Sequence, residues 1–368
     1  MKRLIICADG TWNERDQVDS ETHLRHATNV TKVARAVRSR DVRGIDQVVF
    51  YHDGVGTHPG LDKLTGGAFG EGIEGNIRDL YRFLVYNYDT DDQIFLFGFS
   101  RGAFTVRTLA GFMNAFGLLQ KADDFYVPDL FAEYKGSDVP ENILEDPHFR
   151  RMGAPRACPQ ILFIGVWDTV GALGLPGRVG EVLDSAKVSY HNVDLHPTIQ
   201  NAYHALAIDE QRVPFRPTLW TRPAGWTGTL EQAWFTGVHC NVGGGYSPDG
   251  LANEALHWMV ERAELHGLEL NHKYLDYFLP CFNSTLNVSM TWLYRAFGKN
   301  IRTLGEHREH GECIHRSVLD RLALEECGYQ PVNVPHELTS GPLALAVSET
   351  TGIARGTPCG PQPESQRH

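Results

Sequence analysis

Five short apolar runs, each closed by small or polar residues, constrain this chain more than any other feature. Leu4 to Ala8 runs into Asp9-Gly10-Thr11-Trp12-Asn13, Gln47 to Tyr51 into His52-Asp53-Gly54, and Gln93 to Phe97 into Gly98. Ile161 to Val166 runs into Trp167-Asp168-Thr169, and Ala233 to Val238 into His239. A strand with one wet face alternates apolar and polar side chains, whereas a strand covered on both faces is apolar throughout. The intervening segments have helical spacing. Ile73, Ile77, Leu80, Leu84 and Tyr88 make one stripe, Val30, Val33, Ala34 and Val37 another behind a cap at Asn29, and Leu251 to Leu265 is a third. Strands alternating with helices imply an α/β fold built on a mostly parallel sheet flanked by helices.

At 368 residues the chain suits one large domain with insertions. The expected domain spans 1–339. Two stretches break the strand–helix rhythm, about 118–159 and 271–311, and both are expected to cover the sheet. The second carries Tyr274, Tyr277, Phe278, Phe282, Trp292, Leu293, Tyr294 and Phe297, which suit either a helical layer in the core or an apolar wall beside a site. Residues 340–368, rich in Gly and Pro, are expected to form a C-terminal tail.

The formal net charge of -11 argues against nucleic-acid binding, which draws on clustered Lys and Arg. It disfavours broad adhesion to anionic membranes but permits peripheral contact through a local patch. No apolar stretch reaches the ~20 residues of a transmembrane segment, and the first run is too short for a signal-peptide core. A cytoplasmic protein, or one exported without a signal peptide, is expected. Seven scattered cysteines with no CxxC pair indicate reduced thiols.

Gly98-Phe99-Ser100-Arg101-Gly102 sits between a strand and a helical segment, Ala103 to Phe112. A serine at such a turn has a strained backbone, and residues two positions away on either side must be small. The turn lifts the serine Oγ clear of the sheet and aims the helix N-terminus, with the Arg101 N–H, at a developing oxyanion. This is the pattern expected of a nucleophile elbow in an α/β-hydrolase-like fold, with an ordinary glycine-rich turn as the alternative.

A serine hydroxyl needs a base, and the base needs an orienting acid. In this fold the chain order is serine, acid, histidine, each at a strand end. Asp168 and His239 meet both conditions. Asp9, Asp53 and Asp209 are alternative acids, each otherwise a helix cap or turn brace. His204, in a helical pattern, is the alternative base, and Cys240 an alternative nucleophile more in keeping with a buried structural thiol. A second oxyanion donor is expected from Asp9-Gly10-Thr11, at the Thr11 N–H. An ordinary strand-end turn explains that sequence equally well.

No nucleotide motif is complete: Gly54-Val55-Gly56 is followed by Pro59 where G-x-G-x-x-G needs glycine. His307, His310, Cys313 and His315 match no standard zinc spacing, so neither a metal nor a cofactor is expected.

The chain resembles a family of uncharacterised α/β-hydrolases that includes the catalytic domain of one class of type VI secretion phospholipase effectors. The resemblance rests on Asp9 to Asn13, Tyr51 to Gly56, Gly98 to Ala103, Gly165 to Gly171, His204 to Glu210, His239 to Tyr246 and Ile314 to Val318. It implies a Ser–Asp–His hydrolase of carboxylic esters, with phospholipids the substrate in secreted members. One position departs: after the histidine the family usually has His-x-Asp-Val-Gly-Gly-Gly, and this chain has Asn241. If that aspartate tunes the histidine, the activity here is tuned differently. The expected function is thus hydrolysis of an acyl ester, such as a lipid ester, through an acyl-enzyme. The same triad acting on a glycan or amide, and a silent hydrolase fold serving as a binding module, are the alternatives.

Overall fold

The computed structural model describes residues 1–10, 26–54, 66–135, 143–171, 195–295, 298–340 and 344–351. Among the described residues eight strands form one sheet: β1 (Arg3–Ala8), β2 (Gln47–His52), β3 (Gln93–Phe99), β4 (Ile161–Trp167), β5 (Asn201–Ala207), β6 (Thr229–Phe235), β7 (Glu312–His315) and β8 (Ala346–Ser348). Their order is β2-β1-β3-β4-β5-β6-β7-β8. Every pairing is parallel. This is an α/β-hydrolase-like sheet. The chain steps outward from β1 to β2, then returns across β1 to β3 and continues the other way. The order therefore reverses between β1 and β3, and in open α/β sheets ligands bind at the carboxyl ends beside such a reversal.

Helices cover both faces, which is why the strand sequences are continuously apolar. Leu4, Ile6 and Ala8 of β1 face a cluster with Ile73, Ile77, Leu80 and Leu84 of α2 (Gly66–Asn87) and with α3 (Arg101–Phe116). Ile5 and Cys7 face the opposite cluster, with Val30 and Val33 of α1 (Asn29–Ala36). Each such side chain contributes roughly 1.5–3 kcal/mol on full burial. Helix α1 is capped one residue earlier than expected, by Thr28, whose Oγ1 accepts from Thr31 N. Asn29 instead donates to the carbonyls of Val242 and Ala252, tying α1 to the chain after His239.

Segment 118–159 packs α4 (Val127–Lys135) onto α2 and α3 through Leu130, Phe131 and Tyr134. Segment 271–311 divides. Leu275, Cys281 and Phe282 are buried, whereas Tyr277, Leu279, Val288 and Trp292 are exposed. Two expectations are corrected. The helical pattern around His204 is strand β5: it lies between β4 and β6, covered on both faces, so pairing overrides the helix preference of its alanines. The tail expected from 340 returns to the sheet as β8, beside β7. Cys7, Cys158, Cys240, Cys313 and Cys327 are free, but Cys281 is disulfide-bonded, contrary to the expectation of reduced thiols.

Candidate active site

The turn Gly98–Gly102 forms where β3 meets α3. Ser100 caps α3 with φ 58° and ψ -121°, a left-handed φ that a non-glycine residue holds only under constraint. Both glycines are sterically required. A Cβ on Gly98 would lie 2.6 Å from Ala103 Cα, and one on Gly102 would lie 2.1 Å from the Ala8 carbonyl oxygen. Gly102 thus lets α3 start hard against the end of β1. Ser100 N donates to Trp167 O at 3.0 Å, continuing the β3–β4 ladder. Because Phe99 pairs with Trp167, Ser100 and Asp168 leave the sheet side by side.

Asp168 also has a positive φ, 40°, and is fully buried. Its Oδ2 meets His239 Nδ1 at 2.6 Å, and its Oδ1 accepts from Ala207 N at 3.0 Å. Arg302 adds a bidentate pair, Nη1 to Oδ1 at 2.6 Å and Nη2 to Oδ2 at 3.0 Å. Burial pushes the Asp168 pKa up, but the Arg302 charge and the His239 hydrogen bond outweigh it and hold the carboxyl well below the usual carboxylate range. Arg302 is itself buried, and its two terminal nitrogens also donate to the carbonyls of Ala207 and Phe215.

His239 opens a one-turn helix, α5 (His239–Gly243), after β6. The Phe99 ring lies 4.6 Å from its imidazole and the Phe215 ring 4.9 Å away, edge-on. Burial lowers the His239 pKa and Asp168 partly restores it. With Nδ1–H donated to a carboxylate, the neutral ring keeps a lone pair on Nε2.

The chain after β5 braces this turn. Asp209 Oδ2 accepts from Gly237 N at 2.7 Å and from the Tyr329 hydroxyl at 2.9 Å. Glu210 Oε2 accepts from His239 N at 3.2 Å, while Arg212 and Ser289 hold the same carboxylate. Asn241 faces away from the imidazole contacts just described: its Oδ1 accepts from Val238 N and Asn287 N, and its Nδ2 donates to Asn287 Oδ1. It fastens the histidine turn to segment 271–311.

The other candidates lie as follows. Asp9, buried at the end of β1, accepts from Thr28, Thr31 and Tyr51 hydroxyls and from Gly10 N, so it organises that turn. Asp53 follows β2. Thr11 lies outside the described residues. His204, buried in β5 and held near pKa 3 mainly by burial, accepts from Thr169 N at 3.1 Å, steadying the backbone after Asp168. Burial pushes the Cys240 thiol up to about 12, so it stays protonated. Arg302, Glu210, Arg212 and Phe215 were not singled out from sequence as site residues. Glu210 does stand in the His204–Glu210 motif, the one signal that pointed to it.

Among the described residues, His307, Glu309 and His310 are the group that could hold a metal. His310 Nδ1 already accepts from Arg222 N at 3.1 Å, which puts the neutral ring's proton on Nε2 and removes that ligand. Cys313 and His315 are buried in β7.

The family model described as type VI secretion system phospholipase effector Tle1-like, catalytic domain, matches residues 2–262. The uncharacterized protein YEL023C of Saccharomyces cerevisiae is 24% identical over 242 residues, 60% of this chain. The chain spans only 33% of that curated relative's length. Among solved structures, an uncharacterized protein from Pseudomonas aeruginosa aligns at TM-score 0.47 and 18% identity, covering 74% of this chain and 47% of that one. The Tle1 effector bound to the VgrG spike of the type 6 secretion system aligns at TM-score 0.39 and 15% identity, covering 84% and 82%. No helix of the described residues is long and apolar enough to cross a membrane.

Proposed function

The chain belongs to the Tle1-like phospholipase effector catalytic-domain family, and from that premise we propose that it hydrolyses lipid acyl esters through a Ser100–His239–Asp168 triad. The observation that carries this reading is the 2.6 Å bond between His239 and Asp168, made beside a strained elbow serine on the adjacent strand. Phe99, the residue before Ser100, touches the same imidazole.

Ser100 Oγ attacks the acyl carbonyl while His239 Nε2 takes its proton. The tetrahedral oxyanion is stabilised by the Arg101 N–H at the start of α3 and by a donor from the turn after β1, at Thr11. Collapse transfers the proton from His239 to the leaving alkoxide and leaves an acyl-enzyme, which water then opens by the same route. Asp168 orients the ring and stabilises the imidazolium. Arg302 keeps Asp168 ionised and fixed, so the proton stays on histidine. The mechanism uses no metal or cofactor.

Fluorophosphonate labelling, with turnover of acyl esters of increasing chain length, tests the reading. Labelling at Ser100 and loss of both labelling and turnover in Ser100→Ala are expected. A wild-type protein that neither labels nor hydrolyses any ester would overturn it.

A further inference from the structure

Beside His239 lie residues 211–217 and 286–295, and neither segment contains an Asp or Glu. The loops are joined to each other. Asn300 N donates to Gln211 O at 2.9 Å, Arg212 bridges to Lys299, and Arg216 Nη2 donates to Asn300 Oδ1 at 3.2 Å. They are also joined to the site. Tyr294 packs edge-on against Phe215, which packs against His239, and Arg212 lies 3.5 Å over the Phe215 ring.

What this rim shows to solvent is apolar and cationic. Trp292 is 81% exposed and Val288 80%, with Ile301 and Val213 also open. Arg216, Arg295 and Lys299 are exposed among them. Trp167, Trp220, Trp234 and Trp258 are by contrast fully buried. A tryptophan beside arginine and lysine, its ring free and no carboxylate near in sequence, is the composition of a membrane-interface anchor. The formal net charge of -11 disfavours broad adhesion to an anionic bilayer, so docking there calls for a local apolar and cationic patch such as this one.

We propose that Val288, Trp292, Arg295, Lys299 and Arg216, on and just after the two segments beside His239, form a docking lip for anionic phospholipid surfaces, seating the mouth of the site on the membrane. The proposal rests on the lipid-ester reading above, and its binding test is independent of turnover. Trp292 and Val288 enter the headgroup region while Arg216, Arg295 and Lys299 lie against lipid phosphates. Binding therefore falls with ionic strength.

The test uses the Ser100→Ala chain, which binds lipid without consuming it, co-sedimented with vesicles of phosphatidylglycerol and phosphatidylcholine or of phosphatidylcholine alone. Preference for the anionic vesicles is expected, weakened by salt. Adding Trp292→Ala with Val288→Ser, or Arg295→Glu with Lys299→Glu, should each weaken binding about tenfold or more. With Ser100 intact, the same substitutions should leave turnover of a short water-soluble ester unchanged, which reports a folded site. Absence of binding at low salt, or binding unmoved by both pairs of substitutions, overturns the lip. Ester hydrolysis without vesicle binding sinks the lip alone. Vesicle binding without any hydrolysis sinks the catalytic reading alone.

Discussion

Arg302 holds Asp168 by both carboxylate oxygens, at 2.6 and 3.0 Å, across 134 residues of sequence. A bidentate guanidinium is among the strongest hydrogen-bonding partners a buried carboxylate can have. It acts in two directions. It keeps Asp168 ionised despite burial, which the His239 hydrogen bond requires. It also draws charge away from that carboxylate, so Asp168 stabilises the imidazolium less than an unpaired aspartate would.

Removing that guanidinium should therefore change the pH profile as well as the rate. The charges facing His239 are Asp168, Glu210 and Arg212, with Arg302 behind Asp168. Without Arg302, Asp168 becomes more basic and the imidazolium is better stabilised, so the His239 pKa rises. A neutral His239 is needed for attack, so the acid limb of kcat/KM in Arg302→Met should move to higher pH. Breaking a buried pair costs about 3–5 kcal/mol of stability, so Arg302→Lys, which keeps the charge, serves as the second variant. Its acid limb should stay near that of the wild type while kcat falls. An acid limb that moves equally in both variants, or in neither, refutes the positioning role.

Ser100→Ala should reduce ester turnover by about 10³-fold or more while leaving the thermal melt near that of the wild type, because the small Oγ is replaced without strain. Steady-state kinetics with active-site labelling checks this. Near-normal turnover would mean that the elbow is a structural turn.

The fold was legible where a strand buried on both faces is a continuous run of large apolar residues: β1, β3 and β4 read directly. β5 did not, since Asn201 to Ala207 mixes alanine, tyrosine and histidine in an order that helix spacing also fits, and only its neighbours make it a strand. β7 and β8 have four and three residues, too few for any period to show. Of the candidate site, the local part was readable: the glycines around Ser100, and Asp168 and His239 at run ends. Arg302 was not, because its role is a contact between distant segments. Asn241 reads as a departure from the family pattern, yet its side chain fastens the turn to Asn287 rather than touching the ring. Trp292 faces solvent, which rules out the core layer for that residue.

Gly102→Ala separates the elbow's geometry from its chemistry. The new methyl would lie 2.1 Å from the Ala8 carbonyl oxygen, and that neighbour is backbone that sits within the sheet. Overpacking of this kind costs about 1–3 kcal/mol or more. The start of α3 must shift away from β1, carrying the Arg101 N–H and Ser100 with it. A lowered melting temperature is expected together with a fall in kcat exceeding the fall in substrate binding. Wild-type melting and wild-type kcat together would show that α3 does not approach β1 this closely.

The choice of Asp168 over the other aspartates makes the last prediction. Asp168→Asn keeps the shape but replaces the acceptor facing His239 Nδ1 with an amide, and it leaves Arg302 buried opposite a neutral group. The imidazole then loses its orienting charge or takes the wrong tautomer, and kcat should drop about 10⁴-fold. The thermal melt should fall too, since Arg302 is left unpaired in the core. Asp209→Asn acts differently. Its carboxylate accepts from Gly237 N and Tyr329 and does not touch the imidazole, so it should lower stability more than turnover. Asp9→Asn removes the acceptor shared by Thr28, Thr31 and Tyr51, and should act through the turn after β1. Side-by-side kcat values and melts of the three variants decide the matter. If Asp9→Asn or Asp209→Asn costs as much kcat as Asp168→Asn at an unchanged melt, the acid has been assigned to the wrong residue.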